Sequence, residues 1–235
     1  MAPRVVILLV GPTGSGRSSF VKEVAGLTDK DIKISYDKLH PCTKECKIYS
    51  LEHNGTTFEL IDTPGFEDIA LANNAILSKI ARYLRQKSRS GPWVTGALYF
   101  HKIPGKRFTG PTRFNFELFK AMCGEQFFSR VACVTTLWSD VNSEKLEQFN
   151  GFSKELKAEY FNITKDPKGG VVFDLKDDDP EVYGRILDHF AAFAGSNHRW
   201  LRFEKEVVHD GLDAKRTVAG KLIKKKANQG LCTIA

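Results

Sequence analysis

An α/β fold with a mostly parallel sheet and helices on both of its faces is what this sequence predicts, on three observations. Apolar runs of strand length alternate with segments of helical spacing over most of the chain. The first run, Arg4–Val10, stops at Gly11, and a helix opens at Ser18 straight after a glycine-rich turn. Two further runs, Cys46–Glu52 and Thr57–Ile61, flank His53-Asn54-Gly55-Thr56, whose Asn-Gly turn predicts an antiparallel hairpin.

The remaining elements follow in order. Ile69–Gln86 has helical spacing, Val94–Phe100 reads as a strand, Arg113–Met122 as a helix and Val131–Thr136 as a buried strand. Ser143–Glu159 predicts another helix, Gly170–Phe173 a short last strand and Pro180–Ala194 a closing helix. Past Ser196 the character changes: Trp200, Phe203, Val207, Gly211, Ala214, Val218 and Leu222 advance in steps of three and four, which predicts a helical extension. The expected organisation is one domain over residues 1–195 and a C-terminal helix with a basic tail over 196–235.

Composition narrows the function classes. Of 235 residues 42% are apolar, enough for a substantial core, which excludes disordered, fibrous and disulfide-scaffold proteins. Val5–Val10 is the longest apolar run, far below the roughly 20 residues that span a bilayer, and no cleavable leader is visible. The expectation is an intracellular chain that does not cross a membrane. Five cysteines, at 42, 46, 123, 133 and 232, form no paired framework and no CxxC, so a reducing compartment and no structural metal are expected. The formal charge is +7, and Lys215, Arg216, Lys221, Lys224, Lys225 and Lys226 follow one another with no intervening acid. Charge concentrated in a tail argues against a nucleic-acid partner, whose binding face would spread its basic residues over the domain.

Gly11-Pro12-Thr13-Gly14-Ser15-Gly16-Arg17-Ser18 joins a strand to a helix, the setting in which a glycine-rich loop cradles phosphates. Its glycines let backbone amides turn inward and the helix N-terminus adds positive potential; Gly11, Thr13, Gly14, Ser15, Gly16, Arg17, Ser18 and Ser19 form the candidate nucleotide-binding set here. Ser18 offers a hydroxyl to Mg2+. Arg17 stands where the motif requires lysine, and a planar guanidinium does not follow the path of a compact ammonium. At the end of the strand Thr57–Ile61 comes Asp62-Thr63-Pro64-Gly65, in which Asp62 can hold Mg2+ through water and the Gly65 amide can sense a γ-phosphate. Thr43, in a polar stretch entering a strand, lies where a switch threonine that caps the metal belongs. The candidate metal set is thus Ser18, Thr43 and Asp62. Glu67 and Asp68 read as a solvated helix start rather than as paired catalytic carboxylates.

Taken together, GPTGSGRSS, IDTPGFED, the strand GALYFHKI followed by KRFTGPTRFN, and VTTLWSDV resemble the fungal P-loop GTPase-like proteins. These are similar in turn to the immunity-associated GTPases, the septins and the chloroplast import-receptor GTPases. The resemblance covers roughly residues 4–195. It implies a Ras-like fold, GTP or GDP as ligand, Mg2+, and a homodimer formed across the nucleotide face. It also implies that Arg107, in Arg107-Phe108-Thr109, is an arginine finger supplied in trans.

Two positions depart from that pattern. Guanine is read by an Asn/Thr-Lys-x-Asp segment after the fifth strand, and here Thr135-Thr136-Leu137-Trp138-Ser139-Asp140 puts Ser139 at the aspartate position. Serine lacks the two acceptor oxygens of a carboxylate. Either the loop brings Asp140 in beside Thr136, or guanine preference is weakened and ATP or ADP competes. Phe66 follows Gly65 and cannot position water, so intrinsic hydrolysis is expected to be slow. His101, just after the strand Val94–Phe100, reads as a structural histidine or as a helper at the dimer interface. The chain ends Cys232-Thr233-Ile234-Ala235, a C-a-a-X-like sequence, with lysines at 224–226 just upstream. A prenyl chain on Cys232 and a basic tail are complementary signals for a peripheral anchor on the cytoplasmic membrane leaflet. The reading is a membrane-tethered, guanine-nucleotide-binding switch with slow or dimer-dependent hydrolysis. A pseudo-GTPase scaffold and an adenine-nucleotide-binding ATPase are the alternatives.

Overall fold

Strands β1 (Arg4–Val10), β2 (Lys47–His53), β3 (Thr56–Asp62), β4 (Gly96–Lys102), β5 (Val131–Thr136) and β6 (Val171–Asp174) build one sheet in the order β2-β3-β1-β4-β5-β6. The computed structural model describes residues 2–32, 43–67, 69, 71–88, 93–103, 110–156, 158, 170–176, 179–197 and 199–231. Every pairing is parallel except β2 with β3, the hairpin that the Asn-Gly turn predicts. Asn54 and Gly55 both take positive φ, as a tight hairpin turn requires. The register sets Lys47 opposite Asp62, and the turn is held to the helix Val182–Ala191, where the Asp188 carboxylate lies 2.8 Å from His53 Nε2 and accepts from Asn54 Nδ2 at 3.1 Å.

The helices that cover the sheet are α1 (Arg17–Val24), α2 (Ala72–Lys87), α3 (Gly110–Cys123), α4 (Leu146–Leu156) and α5 (Val182–Ala191). Val5, Ile7 and Leu9 pack with Phe20 and Val21 of α1 and Ile186 and Phe190 of α5, while Val6, Leu8 and Val10 pack with α2 and α3. β1 is apolar on both sides because both of its faces are covered, which is why its sequence shows no alternation. The strand read as Val94–Phe100 begins at Gly96, since Thr95 spends its backbone N–H on Val6 O at 2.8 Å and accepts from the Val6 N–H through its hydroxyl at 3.1 Å. The helix expected over Ser143–Glu159 opens as a tight turn, Ser143–Lys145, whose Glu144 N–H is accepted by Asn142 Oδ1.

The segment after Ser196 is not one continuous helix. It forms α6 (Arg202–Glu204), a wide turn over Lys205–His209, a tight turn over Ala214–Arg216, and α7 (Val218–Leu231). Leu201, Phe203, Val207, Ala214, Ala219 and Ile223 are buried in the same cluster as α2 and α3. The side chain of Arg85 on α2 ties this segment down, donating to Val207 O at 3.0 Å and Leu212 O at 2.6 Å. Among the described residues no helix is long and apolar enough to cross a membrane.

Candidate nucleotide-binding site

At the end of β1 the chain turns through Gly14 and Gly16, both at positive φ, and α1 starts at Arg17. The left-handed Gly16 lets the loop wrap over the helix N-terminus, whose unpaired amides and dipole favour an anion. Ser15 is buried at the base of the loop and Ser19 lies in the first turn of α1. Arg17 does not extend outward. Its side chain is 7% exposed and folds back into the loop, where Nη1 donates to Gly11 O, to Pro12 O at 2.8 Å and to Ser15 Oγ at 3.1 Å. Burial pulls the Arg17 pKa down, while Asp62, then Tyr99 and Glu67, support its charge.

The three predicted metal residues come together although they are far apart in sequence. Asp62 Oδ2 accepts from Ser18 Oγ at 2.9 Å and from Thr43 Oγ1 at 3.2 Å, and the two hydroxyls are 3.3 Å apart. Parallel pairing of β3 with β1 brings the end of β3 beside the phosphate loop, and the hairpin returns the chain so that Thr43 arrives at the same place. Asp62 Oδ1 is buried and accepts no hydrogen bond, with Arg17 Nε 3.7 Å away. A buried carboxylate oxygen without a donor, next to two hydroxyls, is a hard-oxygen donor set of the kind Mg2+ takes. Ser18, Thr43 and Asp62 would hold the ion, which would supply positive charge to offset that of the nucleotide phosphates.

Gly65 lies against the loop. The Phe66 N–H donates to Gly11 O at 2.9 Å and the Thr13 N–H donates to Phe66 O at 3.1 Å. A Cβ placed on Gly65 would sit 2.6 Å from Thr13 Cα and 2.7 Å from Arg17 Nη2, so only glycine fits. Phe66 itself is buried in the core and reaches no solvent. Glu67 departs from the expected solvated helix start: its Oε1 accepts from Thr13 Oγ1 at 3.1 Å, its N–H donates to Asn73 Oδ1 at 2.8 Å, and α2 begins only at Ala72. Asp68 lies outside the described residues.

On the base side, Thr136 is 2% exposed, its hydroxyl donates to Ser15 O at 3.0 Å, and its side chain rests against Gly16. Thr136 therefore braces the phosphate loop. After it Leu137 takes a left-handed conformation and Trp138–Asp140 form a tight turn that leaves Ser139 and Asp140 exposed. Trp138 is buried, with its Nε1 donating to Thr135 Oγ1 at 2.9 Å and Lys176 Nζ 4.6 Å above its ring. His101 is 4% exposed and stacks near Phe152 at 5.6 Å. Burial, then Lys102, lowers its pKa to about 4, which keeps the ring neutral at pH 7. Arg107 and Cys232 lie outside the described residues.

Sequence reading missed Asn73 and Trp138 with Lys176. Asn73 is fully buried and grips Glu67 from both sides, accepting its N–H and donating to its carbonyl at 3.1 Å. An amide residue at the opening of a helical pattern, six positions after the Gly65-Phe66-Glu67 turn, was the available signal.

A six-stranded sheet with one antiparallel edge, a phosphate loop after β1 and a carboxylate at the end of β3 define a Ras-like P-loop fold. Residues 5–173 match the AIG1 family, and the chain belongs to it. Among curated proteins it is similar to GTP-binding protein A of Dictyostelium discoideum, 33% identical over 153 residues, which is 63% of this chain and 31% of that one. The chain thus spans about a third of that relative's length. Among solved structures it resembles Toc33 from Arabidopsis thaliana in complex with GDP and Mg2+, at 17% identity and TM-score 0.59, with 85% of this chain and 87% of that one covered. A structure concerned with dimerisation and GTPase activity of the chloroplast translocon components atToc33 and psToc159 matches at 15% identity and TM-score 0.62, covering 85% and 86%.

Proposed function

We propose that the protein binds guanine nucleotides with Mg2+ and works as a switch whose hydrolysis is slow or waits for a second copy. The observation that carries this is the convergence of Ser18, Thr43 and Asp62 on one point beside the phosphate loop. A solvated loop has no reason to bring two hydroxyls and a half-orphaned carboxylate together. Family membership supports the reading, as do a relative named for GTP binding and Toc33 structures holding GDP or GMPPNP with Mg2+. Slow turnover follows from Phe66, which is buried and carries no group to orient water. Dimer dependence draws on the Toc33 comparison, in which dimerisation bears on GTPase activity. Arg107 is the residue a second copy would supply.

The proposal also places the chain on an anionic membrane leaflet. Lys221, Lys224, Lys225 and Lys226 are exposed along α7, and Lys215 and Arg216 are exposed in the turn before it. A prenyl group on Cys232 would add the salt-insensitive part of the attachment.

Thermal unfolding with GDP or ADP, each with and without Mg2+, tests the nucleotide reading. At ligand about 100-fold above Kd the folded state gains about 2.7 kcal/mol, roughly 5–10 °C for a domain of this size. A rise with GDP and Mg2+ that ADP does not match is expected. No shift with any nucleotide would leave the scaffold alternative, and a larger shift with ADP the adenine one, for which exposed Ser139 and Asp140 are the specific observation.

A further inference from the structure

The phosphate loop and the segment 63–67 make direct contact in this structure, and four features hold them there. The Phe66 N–H is bound to Gly11 O and the Thr13 N–H to Phe66 O, a two-bond bridge between the segments. Thr13 Oγ1 donates to Glu67 Oε1. Arg17 fills the floor of the loop through Nη1 and sends Nη2 toward Gly65. Gly65 has no room for even a methyl group on the side facing Thr13 and Arg17. By contrast nothing lies within 4 Å of a Cβ built on Gly14, on the outer side of the loop.

A γ-phosphate needs space between this loop and Gly65, whose amide is the group that would sense it. Here that space is shut by protein atoms, and the Thr13 amide is committed to a carbonyl. We propose that the site selects nucleotides by phosphate count, holding a nucleoside diphosphate as it stands and admitting a triphosphate only when 63–67 leaves the loop. The proposal rests on the nucleotide-binding reading above and adds a specificity determinant to it. Arg17 is the distinguishing residue. A lysine ammonium can satisfy the Gly11 and Pro12 carbonyls, but it has no second nitrogen to place beside Gly65. Each hydrogen bond that must break weighs on the open form by roughly two- to tenfold, so three of them reduce apparent triphosphate affinity substantially.

The test is direct titration of the full chain with fluorescent GDP and with a non-hydrolysable GTP analogue, both in Mg2+. The wild type is expected to bind the diphosphate at least tenfold more tightly. Glu67→Ala removes the side-chain latch to Thr13 and one of the acids that support the Arg17 charge, so it should narrow the diphosphate-to-triphosphate ratio several-fold. Arg17→Lys, which withdraws Nη2, should narrow the ratio as well, whatever it does to the two affinities separately. Equal affinities in the wild type would overturn the proposal, as would a ratio that neither variant moves. Failure of the wild type to bind either nucleotide would remove the nucleotide-binding reading itself, and is distinct from binding both alike.

Discussion

Arg17 and Ser18 are sequence neighbours with different tasks, set by the first turn of α1: Arg17 points into the loop and Ser18 across to Asp62. Ser18→Ala keeps the helix and deletes the hydroxyl 2.9 Å from Asp62 Oδ2. Because that hydrogen bond is partly exposed, the variant should lose no more than about 1.5 kcal/mol of stability. The larger effect is expected in binding. Wild-type GDP affinity should fall on adding EDTA, whereas Ser18→Ala should show a much smaller difference between Mg2+ and EDTA, measured by calorimetry. An undiminished Mg2+ dependence in the variant would take Ser18 out of the metal set. At this scale the sequence was informative wherever a motif fixes both residue type and place, as at Ser18, Asp62 and Gly65. It was silent on Asn73 and on the inward fold of Arg17, because both are set by backbone groups of the turns at 11–15 and 63–67 that only the folded chain positions.

Among the elements, the parallel strands and hairpin were legible because apolar runs between turn signals admit few arrangements. The C-terminal segment was legible only as amphipathic. Steps of three and four do not reveal that residues 210–217 break the helix, since the break is fixed by contacts with α2 that lie far away in sequence. A second long-range contact of this segment is made by Glu204 on α6, fully buried, whose Oε1 accepts the Trp93 N–H at 2.8 Å and the Val94 N–H at 3.3 Å. Burial pushes its pKa from 4.5 up to about 7, against the pull of the Trp93, Val94 and Ser88 hydrogen bonds. The folded state therefore holds a proton that the unfolded chain releases. The stabilisation from this group is complete below about pH 4.5 and is lost as pH rises through about 7. Glu204→Gln keeps an acceptor for the two N–H groups and cannot ionise. Its melting temperature should exceed that of the wild type at pH 8 and approach it at pH 5. Parallel melting curves across that range would show that Glu204 stays ionised in the fold.

For the whole molecule, α7 lies on the α2 and α3 side of the sheet, with Ala219 and Ile223 turned inward and its lysines outward. A basic helix docked on a rigid core presents its charge in a fixed orientation, which an unstructured tail does not. Replacing Lys224, Lys225 and Lys226 by Gln should weaken membrane association partially and in proportion to screening, whose range is about 8 Å at physiological salt. Cys232→Ser should release the protein at every ionic strength. Fractionation of the wild type and both variants at two salt concentrations measures this, and a wild type found wholly in the soluble fraction would end the membrane proposal. A different long-range dependence comes from the β2–β3 ribbon. It works as a ruler whose zero mark is fixed where Asp188 holds His53 and Asn54, and whose far end puts Lys47 opposite Asp62 and brings Thr43 into reach. One residue added to β2 would shift that end by about 3.3 Å and turn its side chains to the other face. Strand length, which no motif records, thus keeps a candidate metal ligand in place, and insertions in this ribbon should abolish Mg2+-dependent binding without altering any residue of the site.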